Sequence, residues 1–193
     1  FINDSPDSAN VYFINGVMEG IVNNLARIKN LRVLSRTSVE KFRNNTTKTM
    51  REIADELDVQ YIVEGSGQKT GDQIVLSVQL VETGRDKHLF SKQYNRKWED
   101  IFTLQSEIAT LIANRIEAAI TPEEVDLIEK KPTTNTAALN MYLRAMDIAN
   151  HPDVYNNPEL GHQRVAYLRR AVALDSAYAD ALAELGWALG FIG

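Results

Sequence analysis

The apolar positions of this chain change their period several times, and each change marks an element. From Val11 they recur every three or four residues, at Phe13, Val17, Ile21, Leu25 and Ile28, which predicts one buried face of a long helix. Asn30 supplies a stop, and Leu31-Arg32-Val33-Leu34-Ser35 then alternates as a short strand. Ser38 opens a brief helical turn with Val39 and Phe42, and Asn44-Asn45-Thr46-Thr47 reads as a loop. Thr49 caps a second helix whose buried side is Ile53, Ala54 and Leu57, and Glu52 completes a capping box.

Three strand-like segments follow, at 59–66, 74–81 and 88–94. Their links, Thr70-Gly71-Asp72-Gln73 and Thr83-Gly84-Arg85-Asp86, are short and carry glycine, which predicts an antiparallel meander. Ile74, Leu76, Val78 and Leu80 share one face of the middle strand. Val75 and Val81 make the other face partly apolar, so at least one end of it is expected to be covered.

Residues 98–120 read as a long helix with Ile101, Leu104, Ile108, Leu111, Ile112, Ile116 and Ala119 inward, ended by Thr121-Pro122. Trp98, Phe102 and Tyr94 are expected to lock it to the sheet. A charged linker helix is expected within 122–131. Helices at 136–150 and about 159–174 are joined by an unusually long link, His151 to Pro158. A last pair of amphipathic runs meets at Leu174-Asp175-Ser176. Ala171, Ala181 and Gly186 are placed where helices approach closely, and Leu182, Leu185 and Leu189 form an i, i+3, i+7 stripe.

The order αβαβββα, then helical hairpins, predicts an α/β (α+β) sandwich with helices on a mixed sheet, followed by a helical region. A helix starting near residue 10 of such a domain normally follows a strand. Phe1-Ile2 is expected to be its tail, with Asn3 to Ser8 as a polar turn.

Composition narrows the chemistry. The net charge is −5, which gives no global drive towards nucleic acid, and direct nucleic-acid binding is not expected. Arg27, Lys29 and Arg32 read as a solvated helix end. The absence of cysteine excludes disulfides, a thiolate nucleophile and cysteine-held metals. No apolar run reaches the roughly 18 residues of a membrane span.

His88, His151 and His162 are scattered, so no metal site, cofactor or catalytic residue is expected. Glu123, Glu124 and Asp126 complement a helix dipole. Glu64-Gly65-Ser66 lacks the frame of a nucleophile elbow, and Gly65 reads as a bulge or close approach. Ser35-Arg36-Thr37-Ser38 stands where a strand gives way to a helix. Arg36, Thr37 and Ser38 there either hold an anion with free backbone N–H groups, or cap the helix while Arg36 pairs with a carboxylate.

Four stretches carry a family resemblance: Tyr12-Phe13-Ile14-Asn15-Gly16-Val17-Met18-Glu19-Gly20-Ile21, Leu31-Arg32-Val33-Leu34-Ser35-Arg36-Thr37-Ser38, Tyr61-Ile62-Val63-Glu64-Gly65-Ser66 and Asp100-Ile101-Phe102-Thr103-Leu104-Gln105. Together, over residues 1–121, they resemble the TolB N-terminal-like domain of bacterial regulators, with Gly16 and Glu19 kept and Phe1 as the remnant of a strand. Residues 136–193, after a linker at 122–135, resemble tetratricopeptide repeats, with Asp175-Ser176 where that family has Asp-Pro and Leu185-Gly186 at its Leu-Gly pair. The last repeat stops halfway, so the polypeptide is expected to continue.

The resemblance implies a non-catalytic regulatory, sensory and protein-interaction module of a larger bacterial signalling protein. Its output domain would lie in the same polypeptide, and a cytoplasmic setting is favoured. Two alternatives stay open: part of a nucleotide cyclase whose catalytic domain lies elsewhere, and the effector region of a transcriptional regulator. The implied partner is a protein or peptide in the repeat groove. Leu182, Leu185 and Leu189 form a candidate partner surface, through which the chain is expected to dimerise.

Overall fold

Thr49 caps the helix Met50–Leu57 as its sequence dictates: its hydroxyl accepts from the Glu52 N–H, and the Glu52 carboxylate returns a bond to the Thr49 N–H at 2.7 Å. This computed structural model describes residues 2–3, 11–42 and 47–192. Among them are α1 (Val11–Ala26), α2 (Arg36–Glu40), α3 (Met50–Leu57), α4 (Ile101–Arg115), α5 (Pro122–Glu129), α6 (Thr136–Ala149), α7 (Pro158–Leu174) and α8 (Ala179–Ile192). The strands are β1 (Ile2–Asn3), β2 (Tyr61–Thr70), β3 (Gln73–Glu82) and β4 (Lys87–Lys97). The expected polar turn beyond Asn3 and most of the loop at 44–47 lie outside the described residues.

The chain divides into two units. The first comprises Phe1–Asn10 and Val17–Glu129, and the second Val11–Gly16 and Lys130–Gly193.

In the first unit, β2, β3 and β4 form the expected antiparallel meander, and β1 runs parallel to β2 with Ile2 opposite Ser66. The sheet is therefore mixed, and the short first strand falls where Phe1-Ile2 was expected to be a strand tail. The β2–β3 hairpin closes on Gly71-Asp72, with Gly71 at φ +61°, a backbone state that a side chain disfavours. Ile74, Leu76, Val78 and Leu80 are fully buried, and so are Ile101, Leu104, Ile108 and Ile112 of α4. The Gln105 amide crosses to the Val17 carbonyl of α1 at 3.3 Å. On the opposite sheet face Val81 is buried and Val75 is half-buried, so that face is covered at the Val81 end.

Four expectations are corrected. Residues 31–35 form neither strand nor helix. Their alternation reports a half-buried segment, whereas a strand also needs a neighbour to bond. The long helix ends at Arg115, five residues before the expected stop at 120. Its end is a left-handed residue, Glu117 at φ +55°, with Ala118 N–H bonded to the Ala113 carbonyl at 2.9 Å and Glu117 N–H to Asn114 at 3.3 Å. Trp98–Asp100 is a separate 3₁₀ turn. Gly65 pairs in unbroken register with Val78, and the irregularity falls at Leu80/Val81 instead. Finally, Gly186 meets open space rather than a neighbouring helix.

The second unit is built by α6, α7 and α8, each packed on the next. Alanines line the seams: Ala138, Ala171 and Ala181 gather around Tyr178, and Ala145 and Ala188 around Val165 and Leu168. Small side chains let helix axes approach closely, as expected for Ala171 and Ala181. Asn135 caps α6 through its Oδ1, and its Nδ2 bonds the Leu174 carbonyl at the end of α7 at 2.9 Å. Tyr12 of α1 receives bonds from Asn140 and Arg144 at 3.1 and 3.2 Å.

Candidate functional site

The long link between α6 and α7 is a hydrogen-bonded turn rather than a slack loop. His151, Val154, Asn156 and Asn157 each donate a backbone N–H to a nearby carbonyl. Asn157 then caps α7, its Oδ1 accepting from Glu159 and Leu160 N–H, with Pro158 at the first helical position. This ordered turn buries Val154 and holds Tyr155 outward at 62% exposure.

Tyr155 meets two aromatics of α8. Its ring lies 5.5 Å from Phe191 and 6.1 Å from Trp187, and those two are 4.4 Å apart. Phe191 is 60% exposed and Trp187 46%. The three rings form a tilted and edge-on cluster on the surface, where each such pair contributes about 0.5–1.5 kcal/mol beyond area burial. Beneath Trp187, 4.7 Å from its ring, lies the guanidinium of Arg164 on α7. Arg164 is buried at 4% exposure, and Glu184 of α8 accepts from its Nη2 at 2.5 Å. Its Nε is enclosed and has no hydrogen-bond partner among the described residues.

Tyr155, Phe191 and Arg164 border an open groove of about 320 Å³ that also involves Pro158, Gly161, His162 and Ala188. His162 Nδ1 lies 2.7 Å from the Pro158 carbonyl, so its Nε2 is the ring nitrogen left for the groove. The arrangement offers apolar area with a few polar groups, which suits recognition.

Neither set of sequence-selected residues lies in this groove. Ser35, rather than Thr37 or Ser38, caps α2, and its Oγ accepts from the Ser38 N–H at 3.4 Å. Arg36 pairs with Glu40 at 3.4 Å, and Thr37 and Ser38 are exposed. Leu182 and Leu189 are exposed, while Leu185 packs against the Val165–Leu168 cluster. The basic residues 27–32 are engaged locally: Arg27 with Asn24 and the Leu127 carbonyl, and Arg32 with Asp58. No group of three or more metal-ligating side chains occurs among the described residues. Nor is any described helix long and apolar enough to cross a membrane.

Glu124 does more than complement a dipole. It is 3% exposed and accepts backbone N–H bonds from Thr121 and Lys29, both at 2.9 Å. Thr121 accepts from the Glu124 N–H in return, so this is a second capping box, tied to the end of α1. These bonds, that of Thr121 first, hold its carboxyl below the usual range.

The groove escaped sequence reasoning because its parts are scattered. One signal was present: α8 is apolar on more than one face, with Trp187 and Phe191 one turn apart and off the leucine stripe.

Comparison with known proteins adds two findings. The chain is 27% identical over 185 residues to "Putative adenylate cyclase 3" of Rhizobium meliloti (strain 1021), a span that takes in 96% of this chain and 31% of that protein. The chain therefore spans about a third of the length of that relative. Residues 4–111, nearly the stretch over which the TolB-like resemblance was read, match the family described as the HilA/YgeH-like transcriptional regulator, second domain. By that match over more than half of its length, the chain belongs to the HilA/YgeH-like transcriptional regulator second-domain family.

Proposed function

We propose that the chain is the non-catalytic regulatory and interaction part of a larger regulator. The mixed α/β unit acts as a sensory element resembling TolB N-terminal-like domains. The helical unit, read as tetratricopeptide-like hairpins, holds a protein partner and passes that event to an output domain in the same polypeptide. The observation that carries this reading is the cluster Tyr155, Trp187 and Phe191, exposed beside a groove with a buried arginine. An exposed aromatic cluster is the kind of feature that dominates binding energy at protein interfaces.

Family membership favours transcription as the output. Cyclic-nucleotide synthesis is the second reading, favoured by the name of the rhizobial relative. The test is Tyr155→Ser with Phe191→Ser in the full-length protein, with transcript profiles and cellular cyclic AMP read in parallel. One of the two outputs is expected to change while circular dichroism stays unaltered, and constancy of both would remove the interaction reading. Incubated with ATP and magnesium or manganese, the 193-residue chain is expected to form no cyclic product. Cyclic product would overturn the non-catalytic reading.

The exposed face of Leu182 and Leu189 is read as the surface for a second copy. Light scattering tests it: dimer at high concentration for the parent chain, monomer for Leu182→Ser with Leu189→Ser.

A further inference from the structure

We propose that the groove bordered by the α6–α7 turn, the start of α7 and the end of α8 takes a peptide segment that presents an apolar side chain next to a carboxylate. The inference rests on reading the second unit as partner-binding, and adds what the partner must carry.

Size and openness point to a peptide. About 320 Å³ is at the small end for ligand sites, room for one or two side chains. Its aromatic walls, Tyr155 and Phe191, are 62% and 60% exposed, whereas small-molecule sites enclose most of their ligand. An anchor side chain laid between these rings, with its backbone across the open edge, fits that shape.

The polar groups point to a carboxylate. Among the described residues, the only ionisable types other than tyrosine bordering the groove are His162 and Arg164, and no carboxylate side chain borders it. Arg164 is held in place from two sides, by Glu184 on Nη2 and by the Trp187 ring, which leaves Nε as a buried donor without an acceptor. Such a donor is costly to leave unmade, and an anionic acceptor makes the stronger bond. Asn157 borders the same groove, and because its Oδ1 is engaged in capping α7, Nδ2 is the side-chain group left to donate. Glu184 neutralises one edge of the guanidinium, so the carboxylate is recognised by direction as well as by charge.

Trp187 reports the test. The sequence has two tryptophans, so Trp98→Phe leaves Trp187 alone. Blocked heptapeptides carrying Phe followed by Asp serve as probes, with Asn and Lys versions as controls. The Asp peptide is expected to shift Trp187 emission saturably, the Asn peptide to bind roughly tenfold more weakly, and the Lys peptide not to bind. Phe191→Ala is expected to weaken the Asp peptide without affecting folding, because that ring is exposed. Arg164→Met together with Glu184→Leu removes both charges at once and is expected to abolish the Asp-over-Asn preference. Equal binding of the three peptides to the parent chain overturns the proposal, as does no shift by any of them up to about 1 mM. If the output test of the full-length protein succeeds while the peptides fail, the peptide chemistry falls and the interaction reading stands.

Discussion

The two units differ in how many large apolar side chains they leave exposed. In the first, the sheet face and α4 bury isoleucine, leucine and valine completely. In the second, the seams of α6, α7 and α8 pack alanine around a few large buried side chains such as Tyr178 and Leu168, and other large side chains stay exposed. Leu127 is the only exposed large hydrophobic described in the first unit, while Tyr155, Leu174, Leu182, Trp187, Leu189 and Phe191 all belong to the second. A folding core explains the first distribution. The second requires a further explanation, because exposed apolar area of that kind marks association surfaces. The tryptophans divide the same way, Trp98 in the first unit and Trp187 in the second, so each unit has its own fluorescent probe.

The strongest test of this contrast is core substitution in opposite directions. Leu80→Ala, at a fully buried strand position, is expected to destabilise the first unit by about 2–5 kcal/mol. Ala181→Leu, at a fully buried seam position, is expected to destabilise the second by about 1–3 kcal/mol through overpacking. Urea unfolding followed separately at Trp98 and Trp187 should move the matching probe in each case. A milder response to Ala181→Leu than to an exposed substitution such as Leu182→Ser would break the idea of close-packed seams.

The next effect separates the units within one helix. A Cβ on Gly16, in the second unit, would lie 2.4 Å from Leu143 Cδ2, and one on Gly20, in the first, 2.1 Å from Gln105 Nε2. Leu143 and Gln105 are both buried, so neither yields easily. Gly16→Ala and Gly20→Ala are each expected to cost about 1–3 kcal/mol, the former read at Trp187 and the latter at Trp98. The reverse assignment of probes would refute the division.

These glycines also show what the sequence made legible. Gly16 stood out within a family-like motif, yet its reason is Leu143, which lies far along the chain. Local features were readable: the α1 stripe, the Thr49–Glu52 capping box, the Gly71-Asp72 hairpin and two of the seam alanines, Ala171 and Ala181, each follow from neighbouring residues. What failed depended on distant partners or backbone state. Residues 31–35 alternate like a strand, but alternation cannot supply a strand to pair with. The end of α4 was assigned to Pro122 because no residue-type rule foresees a left-handed glutamate at 117. The groove needed Tyr155, Arg164 and Phe191 to meet, and only folding brings them together. Neither Arg36, Thr37 and Ser38 nor the leucine stripe borders the groove at the α6–α7 turn.

Helix ends give a smaller, signed test. The α4 stop in the first unit uses Glu117 at φ +55°, a conformation that favours glycine, so Glu117→Gly is expected to stabilise by up to about 1 kcal/mol. The α7 stop in the second unit uses Asp175 in an extended conformation, its oxygens accepting from Ala177 N–H at 3.0 Å and Thr133 Oγ1 at 2.5 Å. Asp175→Gly is therefore expected to destabilise by about 1–2 kcal/mol. Thermal melts of the two variants should shift in opposite directions, and a common direction would rule out this account of the two stops.

The smallest expected effect is electrostatic and belongs to the first unit. Glu56 accepts from Lys41 at 2.6 Å and from Lys48, and both ammonium groups stand over the Phe42 ring. The Lys41 hydrogen bond first, then that of Lys48, holds the Glu56 carboxyl at about 2, below its usual 4.5. A carboxyl lowered by folding contributes stability that is fully present above the unfolded value and is lost as the pH falls from about 4.5 towards about 2. The pairs are solvent-exposed, so the contribution is modest and weakens with salt. Glu56→Gln is expected to flatten that part of the acid limb at Trp98 and leave the Trp187 transition unchanged. A Glu56-dependent acid loss seen at Trp187 instead would mean that the two units do not unfold as separately as their cores imply.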